Sequence, residues 1–390
     1  MRKISADWIY PIAAPAIFRG VLVLDEDGTV LEVGQRESHD PAGLEIHAGA
    51  LVPGFVNTHC HLELSHMQGV APTGTGLLPF LQTVVNYRDV AEEEILDAIA
   101  RADAAMYEAG IVAVGDISNK ADTAARKRES PIRYYTFVEM FDFLQDQLAS
   151  KMYQPYETVY QQQPPPKSAV PHAPYTVSPA LFGLIRRLNG QSEELTVSIH
   201  NQETTGENDL FRSKSGNLLD FFSTFGFSID HFQPTGKNAI HYALQHLDPG
   251  HRTLFVHNTM TQPEDIAAAE AWSDRVYWAT CPNANLYIEN RLPNYQYFLD
   301  AGSRVTIGTD SLTSNWQLSV LDELKTIARY QSYLPTETLL RWATLNGAEA
   351  LGMDDELGSF EPEKRPGVNL LFGFEQEAIL SETTAVKKLV

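Results

Sequence analysis

From residue 51 to about residue 310, short runs of β-branched and aromatic residues alternate with longer stretches in which apolar side chains recur every three or four positions. The first pattern predicts buried strands and the second predicts amphipathic helices, so their alternation predicts a parallel sheet with helical crossovers. The predicted strands are Leu51–Thr58, Ile111–Gly115, Arg133–Val138, Ser168–Pro171, Leu195–Ile199, Thr253–Val256, Val276–Thr280 and Arg304–Thr309.

Eight strands in this rhythm predict an α/β fold, a (β/α)8 TIM-like barrel, in which the carboxyl ends of all strands surround one mouth. Seven of the eight residues that follow the strands can bind a metal or move a proton at ordinary pH. The eight residues are His59, Asp116, Glu139, His172, His200, His257, Cys281 and Asp310. Polar residues at this face of a barrel point into the active site, so they form a candidate site.

Both ends of the chain show a different pattern. The first 50 residues contain two apolar runs joined by Asp27 and Gly28, which predicts a hairpin, and the last segment is also strand-like. We therefore predict a small β-sandwich formed by both termini. Residues 1–50 and 358–390 belong to this side domain, and residues 51–357 form the barrel.

Composition and charge narrow the class of protein. The 390 residues carry a formal net charge of −21, which repels polyanions, so nucleic acid and acidic membrane surfaces are not expected partners. Cys60 and Cys281 lie too far apart in sequence to suggest a disulfide framework. No signal peptide is recognisable, and no run approaches the roughly 20 apolar residues of a membrane helix. We expect a cytoplasmic protein that binds a small molecule, and a homodimer is compatible with the sequence.

His59 and His61 are separated by one residue at the end of a predicted strand. Alternate strand residues point to the same side, so both imidazoles can reach one cation. With His200 after the fifth strand and Asp310 after the eighth, they form a ligand set that suits Zn²⁺ or Fe²⁺ with an open position for water. Taken alone, His200 could be a core histidine and Asp310 a helix cap. The presence of all four residues at strand ends instead favours one bound divalent metal ion, with Zn²⁺ preferred.

Six motifs extend this pattern over essentially the whole chain. They are P-G-F-x-N-x-H-x-H at His59 and His61, PHAPYTVS around His172, H-x-x-E at His200 and Glu203, FVHN at His257, CPNANLY at Cys281, and G-T-D-S at Asp310. In these motifs the chain resembles the amidohydrolase superfamily, in its branch of cytosine, guanine, S-adenosylhomocysteine and aminofutalosine deaminases. The tail GSFEPEKRPGVNLL departs from the pattern of this branch at Glu363 and at Pro366–Gly367.

The resemblance implies one metal ion rather than two. Relatives with two metals carry a bridging carboxylated Lys or a Glu at the end of the third or fourth strand. Lys167 precedes the fourth strand and so lies at the wrong end of the barrel, whereas Glu139 lies at the correct end of the third. A second metal at Glu139 therefore stays open beside its interpretation as a substrate-binding residue.

A hydrolytic attack on a ring assigns roles to three residues. Asp310 is a ligand that can take a proton from the metal-bound water, and His257 can hold the nucleophile in line or stabilise the developing charge. Glu203 follows His200 by three residues and can carry the proton to a ring nitrogen and then to the departing amine. A solvated loop glutamate and a structural histidine are the ordinary alternatives for Glu203 and His257.

Two further residues bear on the substrate. The run HLELS at Glu63 resembles aminofutalosine deaminases, and His172 resembles a histidine that contacts the nucleoside in adenosine-type deaminases. Glu63 could instead pair with a basic residue at the barrel mouth. A substrate with a carboxylate tail needs a cation. The candidate arginines are Arg88, Arg212 and Arg291, of which Arg291 is included in the predicted site.

These observations favour a hydrolytic deaminase of an adenine-type nucleoside, such as 6-aminodeoxyfutalosine, S-adenosylhomocysteine or methylthioadenosine. One alternative is a deaminase of a free base such as guanine or cytosine. Another is a different ring hydrolysis on the same scaffold, including halide removal. A binding protein that has lost catalysis is a third, against which the set His59, His61, His200, Glu203 and Asp310 argues.

Overall fold

A computed structural model describes residues 1–190, 195–374 and 379–390. Its strands are β1 (Arg2–Ser5), β2 (Trp8–Ile9), β3 (Ile17–Phe18), β4 (Gly20–Leu24), β5 (Val30–Gln35), β6 (Leu44–Ile46), β7 (Ala50–Pro53), β8 (Phe55–Cys60), β9 (Ile111–Ser118), β10 (Arg133–Met140), β11 (Lys167–Pro171), β12 (Thr196–Asn201), β13 (Arg252–His257), β14 (Val276–Thr280), β15 (Val305–Ile307), β16 (Val368–Phe372) and β17 (Ala385–Lys388). Its α-helices are α1 (Leu77–Tyr87), α2 (Glu92–Glu108), α3 (Ala124–Glu129), α4 (Ala149–Gln162), α5 (Pro179–Asn189), α6 (Thr205–Ser213), α7 (Leu218–Thr224), α8 (Ala239–His246), α9 (Pro263–Trp272), α10 (Pro282–Glu289), α11 (Tyr295–Ala301), α12 (Val320–Tyr330), α13 (Thr336–Trp342) and α14 (Leu345–Leu351).

Strands β8 to β15 form two four-stranded parallel sheets, in the orders β11-β10-β9-β8 and β12-β13-β14-β15. Backbone hydrogen bonds connect the two sheets at both edges. His200 N donates to the His172 carbonyl at 2.9 Å, and Asp310 N donates to the His59 carbonyl at 3.0 Å. The bridge between Cys60 and Asp310 is parallel as well. The predicted α/β fold with parallel sheets is confirmed.

Seven of the predicted strands agree with β9 to β15 to within three residues at each end. The first prediction, Leu51–Thr58, is instead divided at Gly54 into β7 and β8, which belong to different sheets. Gly54 N donates to the Pro366 carbonyl at 3.0 Å. A Cβ on Gly54 would lie 2.3 Å from Val112 and 2.5 Å from the Pro366 oxygen, so no side chain fits where the backbone changes sheets.

The chain ends build two further sheets, in the orders β5-β4-β1-β6 and β17-β16-β7-β2-β3. Strands β4 and β5 are antiparallel, as the predicted hairpin requires. The carboxyl-terminal strand β16 pairs with β7, so both termini contribute to one sheet. Ile4 and Leu22 from one sheet and Leu51 and Leu370 from the other share a buried hydrophobic cluster.

The helices cover the parallel sheets with their apolar faces. In α2, Ile95, Ile99, Ala102 and Met106 recur at helical spacing, and all four are buried in the main hydrophobic core. Three glutamates occupy the first turn of this helix, where its dipole favours negative charge. In the described ranges, no helix combines the length and the apolar character that crossing a bilayer requires.

Candidate active site

The ends of β8 and β15 bring two histidines and a carboxylate together. His59 Nε2 lies 3.2 Å from His61 Nε2. Asp310 Oδ1 lies 3.6 Å from His59 Nε2 and 3.3 Å from His61 Nε2. Gly308 makes this approach possible, since a Cβ at that position would lie 2.8 Å from both Cys281 Sγ and His59 Cβ.

His200 and His257 complete the polar group. The His200 ring centroid lies 4.9 Å from that of His59 and 5.4 Å from that of His257. His59, His200 and His257 can offer ligand atoms within 4.8 Å of one another, as can His59, His61 and Asp310. The four predicted ligands are therefore close together, and His257 lies beside them.

Hydrogen bonds fix which atom each of these side chains presents. His200 Nδ1 lies 2.9 Å from the His172 carbonyl, to which it donates, so Nε2 is the nitrogen that remains available. His257 Nδ1 donates to Asn285 Oδ1 at 2.9 Å, so its Nε2 carries the lone pair. Ser314 Oγ donates to Asp310 Oδ2 at 2.6 Å, which leaves Oδ1 towards His59 and His61. Sequence reasoning missed Asn285 and Ser314, although both lie near quoted motifs.

Three residues of this region have left-handed backbone conformations. The φ angle is 47° at Gln202, 72° at His257 and 56° at Asp310. Such conformations cost on the order of 1–3 kcal/mol for residues with a side chain, and they are concentrated at functional sites. The strain is consistent with strand ends that must turn sharply while keeping polar side chains directed at one point.

Burial sets the charge state of the site. It lowers the pKa of His59, His61, His172 and His257 to about 4, so these imidazoles are neutral at neutral pH. Burial alone would raise the pKa of Asp310, but its interactions with His59, His61 and His257 outweigh burial and hold that pKa well below its usual range. His59, His61 and Asp310 thus have the protonation states that a divalent cation requires of its ligands. Burial alone would lower the pKa of His200, but the hydrogen bond to Glu139 and its charge raise that pKa to about 9, so His200 must lose a proton to bind a cation.

The donor set fits one divalent cation. Three histidine nitrogens and one carboxylate oxygen match the ligands that zinc prefers, with a position left for water. A second group, formed by Glu139, His172 and His200, also offers ligand atoms within 4.8 Å of one another. It shares His200 with the first group, and Asn119 Nδ2 already donates to Glu139 Oε2 at 3.1 Å.

Glu203 lies beside this cluster but outside the predicted ligand set. Its Oε2 is 3.8 Å from His257 Nε2, and burial raises its pKa to about 8. A carboxyl group in this state is protonated at neutral pH and can donate a proton. Glu207 holds the preceding turn, because its carboxyl oxygens accept from Gln202 N at 3.0 Å and from Glu203 N at 2.7 Å. Burial raises the pKa of Glu207 to about 8, and these backbone hydrogen bonds oppose that rise. This supporting carboxylate was not predicted from the sequence.

His172 lines the same cavity as Glu139 and Glu203. Its Nδ1 lies 2.7 Å from Thr176 Oγ1, and its ring packs edge-on against Phe141 at a centroid distance of 5.8 Å. His172 and Glu139 are thus positioned where a ligand in the cavity could contact them.

Most of the remaining cavity wall is apolar. Helix α1, helix α7 and the loop after β10 supply most of it. We call the following six residues the aromatic chamber: Phe80, Val84, Phe141, Phe143, Phe221 and Phe225. Phe143 stacks on Phe225 with ring centroids 5.7 Å apart and planes inclined by 27°. None of these six residues was predicted from the sequence, because the pattern does not distinguish an apolar residue that lines a cavity from one in the core.

The structure changes the interpretation of Glu63 and of the arginines. Glu63 Oε1 accepts from Arg88 Nη2 at 2.7 Å, and Oε2 accepts from the backbone N–H groups of Asn119 and Lys120 at 3.0 Å each. Burial raises the pKa of Glu63, and the Arg88 charge opposes that effect. Glu63 therefore pairs with a basic residue at the cavity, the alternative to its predicted direct contact with substrate.

Arg88 lines the cavity, whereas Arg212 and Arg291 do not. Both are exposed, and Arg291 Nη1 contacts Met260 Sδ at 2.9 Å. The structure does not bring Arg291 to the cavity: Asn290 ends α10 in a left-handed conformation, and the Arg291 side chain that follows is exposed.

Two other residues of the strand-end set are structural. Asp116 pairs with the buried Lys127 Nζ at 2.5 Å and accepts from Leu62 N at 2.8 Å, so it supports the segment after His61. Cys281 is buried and unpaired, and burial raises the pKa of its thiol well above the usual range. Neither group is free for proton transfer.

Comparisons with known proteins place the chain in a family. Residues 50–383 match the model of the amidohydrolase family. An adenosine deaminase of Helicobacter pylori is 28% identical over 84% of this chain and 80% of the relative.

Two solved structures share the fold. The Helicobacter pylori aminofutalosine deaminase in complex with methylthio-coformycin has a TM-score of 0.82, with 22% identity and coverage of 100% of both chains. A Xanthomonas campestris adenosine deaminase with bound zinc has a TM-score of 0.73, with 24% identity and coverage of 95% of this chain and 84% of the other. With a family match over most of its length and this architecture, the chain belongs to the amidohydrolase family.

Proposed function

We propose that this protein is a metal-dependent hydrolytic deaminase of an adenine-type nucleoside with a substituent at the 5′ position. One observation carries the proposal: a buried carboxyl group, Glu203, whose pKa burial raises to about 8, lies 3.8 Å from His257 and beside a cluster of three histidines and one carboxylate. A proton donor next to a metal site is the arrangement that hydrolytic deamination of a ring requires. Relatives and a structural neighbour named as adenosine and aminofutalosine deaminases support the same reaction.

The architecture that we propose around this site is a closed (β/α)8 barrel with a terminal β-sandwich. The hydrogen bonds at both edges of the two parallel sheets support closure, and the cluster shared by the terminal sheets supports the sandwich. We place the domain boundary at Gly54 rather than at residue 51, because β7 pairs with β16. The side domain then contains residues 1–53 and 358–390.

In this proposal His59, His61, His200 and Asp310 hold one divalent cation, with Zn²⁺ preferred over Fe²⁺. When bound, such a cation supplies a water molecule of lowered pKa as the nucleophile. His257 Nε2 has a lone pair because Nδ1 donates to Asn285, so it accepts a hydrogen bond from this water.

Proton transfer is assigned to two carboxyl groups. Asp310 accepts a proton from the attacking water, and Ser314 holds its other oxygen. Glu203 delivers its proton to the ring nitrogen next to the carbon under attack. Glu203, now ionised, takes the proton of the hydroxyl group added to the ring carbon and passes it to the amine, which leaves as ammonia while the carbon–nitrogen bond breaks and the carbonyl forms. His172 and Glu139 are proposed to contact the nucleoside.

The candidate substrates are 6-aminodeoxyfutalosine, S-adenosylhomocysteine and methylthioadenosine. They share the adenine ring and differ in the 5′ substituent. A panel containing these compounds, adenosine, guanine and cytosine tests the proposal through ammonia release, with metal content measured by elemental analysis. We expect one metal per chain and turnover of 5′-substituted adenosines.

Other outcomes would assign a different function. Activity only on guanine, cytosine or a non-aromatic ring would exclude the nucleoside reaction. A metal-loaded chain that releases no ammonia from any compound would favour a different ring hydrolysis or a binding protein. Two metals per chain, with loss of one in Glu139→Gln, would replace the one-metal site. Asp310→Asn should weaken both metal retention and turnover.

A further inference from the structure

Helix α12 carries one carboxyl group on an otherwise apolar face. Glu323 lies three residues after Val320 and four before Ile327, and both of these neighbours are buried in the main hydrophobic core. Glu323 itself has no exposed surface. Burial raises its pKa to about 8, and hydrogen bonds from Asn283 and Asn315 oppose that rise. Burying a carboxyl group costs free energy unless its oxygens accept hydrogen bonds, so the partners of Glu323 indicate what it stabilises.

One oxygen of Glu323 is bonded to the turn that carries Asp310. Asn315 Nδ2 has two N–H donors, and it donates to Glu323 Oε1 at 2.7 Å and to the Thr309 carbonyl at 2.8 Å. Ser314, the neighbour of Asn315, donates to Asp310 Oδ2 at 2.6 Å. Asn315 therefore closes the turn after β15, and Glu323 anchors that turn to α12.

The other oxygen of Glu323 is bonded to the helix that holds His257. Asn283 N, in the first turn of α10, donates to Glu323 Oε2 at 2.8 Å. A backbone N–H in the first turn has no partner within its own helix, so Glu323 supplies one. Thr326 Oγ1, also on α12, donates to Asn283 Oδ1 at 2.6 Å. Two residues after Asn283, Asn285 Oδ1 accepts from His257 Nδ1 at 2.9 Å, so α12 fixes the element that orients His257.

We propose that Glu323 is a positioning residue that sets the distance between Asp310 and His257. Its two oxygens connect the turn after β15 with the start of α10, so a shift of either element relative to α12 stretches a hydrogen bond to Glu323. The inference rests on the proposed function, in which Asp310 and His257 both act on the attacking water. A displacement of about 1 Å in such a group can cost on the order of 10²-fold in rate.

Glu323→Gln tests the inference with almost no change in side-chain volume. A glutamine has one oxygen and one amino group, so its amino group would face either Asn283 N or Asn315 Nδ2, and both of these are donors. One connection is therefore lost while the other remains. We expect kcat for 5′-methylthioadenosine to fall by about tenfold or more, with KM changed by less than about twofold. Metal content should equal that of the wild type, because all four proposed ligands are retained.

Binding of methylthio-coformycin, measured by calorimetry, separates positioning from a general loss of structure. This compound carries a hydroxyl group on a tetrahedral ring carbon, so it resembles the adduct formed when water attacks, whereas the product 5′-methylthioinosine does not. An inhibitor that resembles the transition state loses affinity when the groups acting on that state are displaced. We expect Glu323→Gln to weaken methylthio-coformycin binding by about the same factor as kcat/KM, and 5′-methylthioinosine binding by less than about twofold.

Two further variants accompany Glu323→Gln. Asp322→Asn is the matched control, since it makes the same chemical change one position earlier on α12, in a side chain that pairs with Lys325. It should leave kcat and both affinities unchanged. Asn315→Ala removes only the connection to the turn after β15, and it should also lower kcat and the affinity for methylthio-coformycin. Thermal unfolding of each variant shows whether it is folded.

Three results would overturn the inference and leave the proposed function standing. They are wild-type kcat and inhibitor affinity in Glu323→Gln, equal losses in the affinities for inhibitor and product, and failure of both Glu323→Gln and Asn315→Ala to fold. The last two would show that Glu323 only supports the fold. A wild-type protein that releases no ammonia from adenosine-type compounds and does not bind methylthio-coformycin would instead contradict the proposed function.

Discussion

The polar cluster and the aromatic chamber line one cavity but are built in different ways. The cluster comes from strand ends: His59, His200 and His257 each lie at or next to the last residue of a parallel strand, and Asp310 follows the end of β15 by three residues. The chamber comes from α1, α7 and the loop after β10, and its side chains are mainly phenylalanines. Parallel strands place their ends at one point, whereas loops can vary without moving that point.

From this difference we expect the polar cluster to carry out the reaction and the aromatic chamber to determine which substrate binds. Interactions in the cluster are directional and closely coupled, so removing one group should affect turnover strongly. Contacts in the chamber are non-directional and distributed over several rings, so each should contribute modestly to substrate affinity. Three substitutions test this division.

Glu203→Gln should reduce kcat by about 10²-fold or more, because an amide cannot relay a proton. Metal content should remain at the wild-type level, since Glu203 is outside the predicted ligand set. Ammonia release and elemental analysis on the same sample measure both quantities. Near-normal turnover would show that Glu203 takes no part in the reaction. The cluster and the chamber would then not differ in their effect on turnover in the way we expect.

Glu207→Gln should reduce kcat by about tenfold, equivalent to about 1.4 kcal/mol, with little change in KM. A glutamine can present only one oxygen, so its amino group would face one of the backbone N–H groups that Glu207 now accepts. Gln202 has a φ of 47°, so the turn that directs Glu203 depends on these bonds.

A double variant shows whether Glu207 acts through Glu203. In the Glu203→Gln background, Glu207→Gln should cost no further turnover, because the group that it positions is already inactive. Additive losses would mean that Glu207 supports the fold of the site in general. Thermal unfolding of all three variants provides the stability comparison.

Phe225→Leu should give the smallest effect, a rise in KM of about two- to tenfold for an aryl-substituted nucleoside with kcat preserved. The ring stacks on Phe143 and forms part of the chamber wall. Phe372→Leu is a suitable control, since Phe372 is 39% exposed on a terminal strand. A large loss of kcat in Phe225→Leu would show that the chamber takes part in the chemistry.

The cluster could be predicted from the sequence because strand order determines it. Once eight strand ends were located, His59, His200 and Asp310 followed without knowledge of any loop. Gly54 shows the limit of this reasoning: an unbroken apolar run concealed a change of sheet that depends on Pro366, far along the chain.

The chamber could not be predicted, because its members depend on how loops return to the cavity. Arg88 and Arg291 are equally plausible in sequence, yet α1 brings one to the cavity and the end of α10 leaves the other on the surface. The pairing of Glu63 with Arg88 also depends on where α1 places Arg88. The orienting bonds of Asn285 and Ser314, and the left-handed φ of Asp310, likewise require the local geometry.

Pairing of β7 with β16 has a consequence for synthesis on the ribosome. Ala50 faces Leu371 across this sheet, so the early strand must wait for nearly the whole chain before its partner emerges. Until then the edge of β7 that faces away from β2 exposes unpaired N–H and carbonyl groups to other nascent chains. A premature stop codon between residues 311 and 367 would make that exposure permanent. Such truncated products should aggregate even though every proposed metal ligand has been translated.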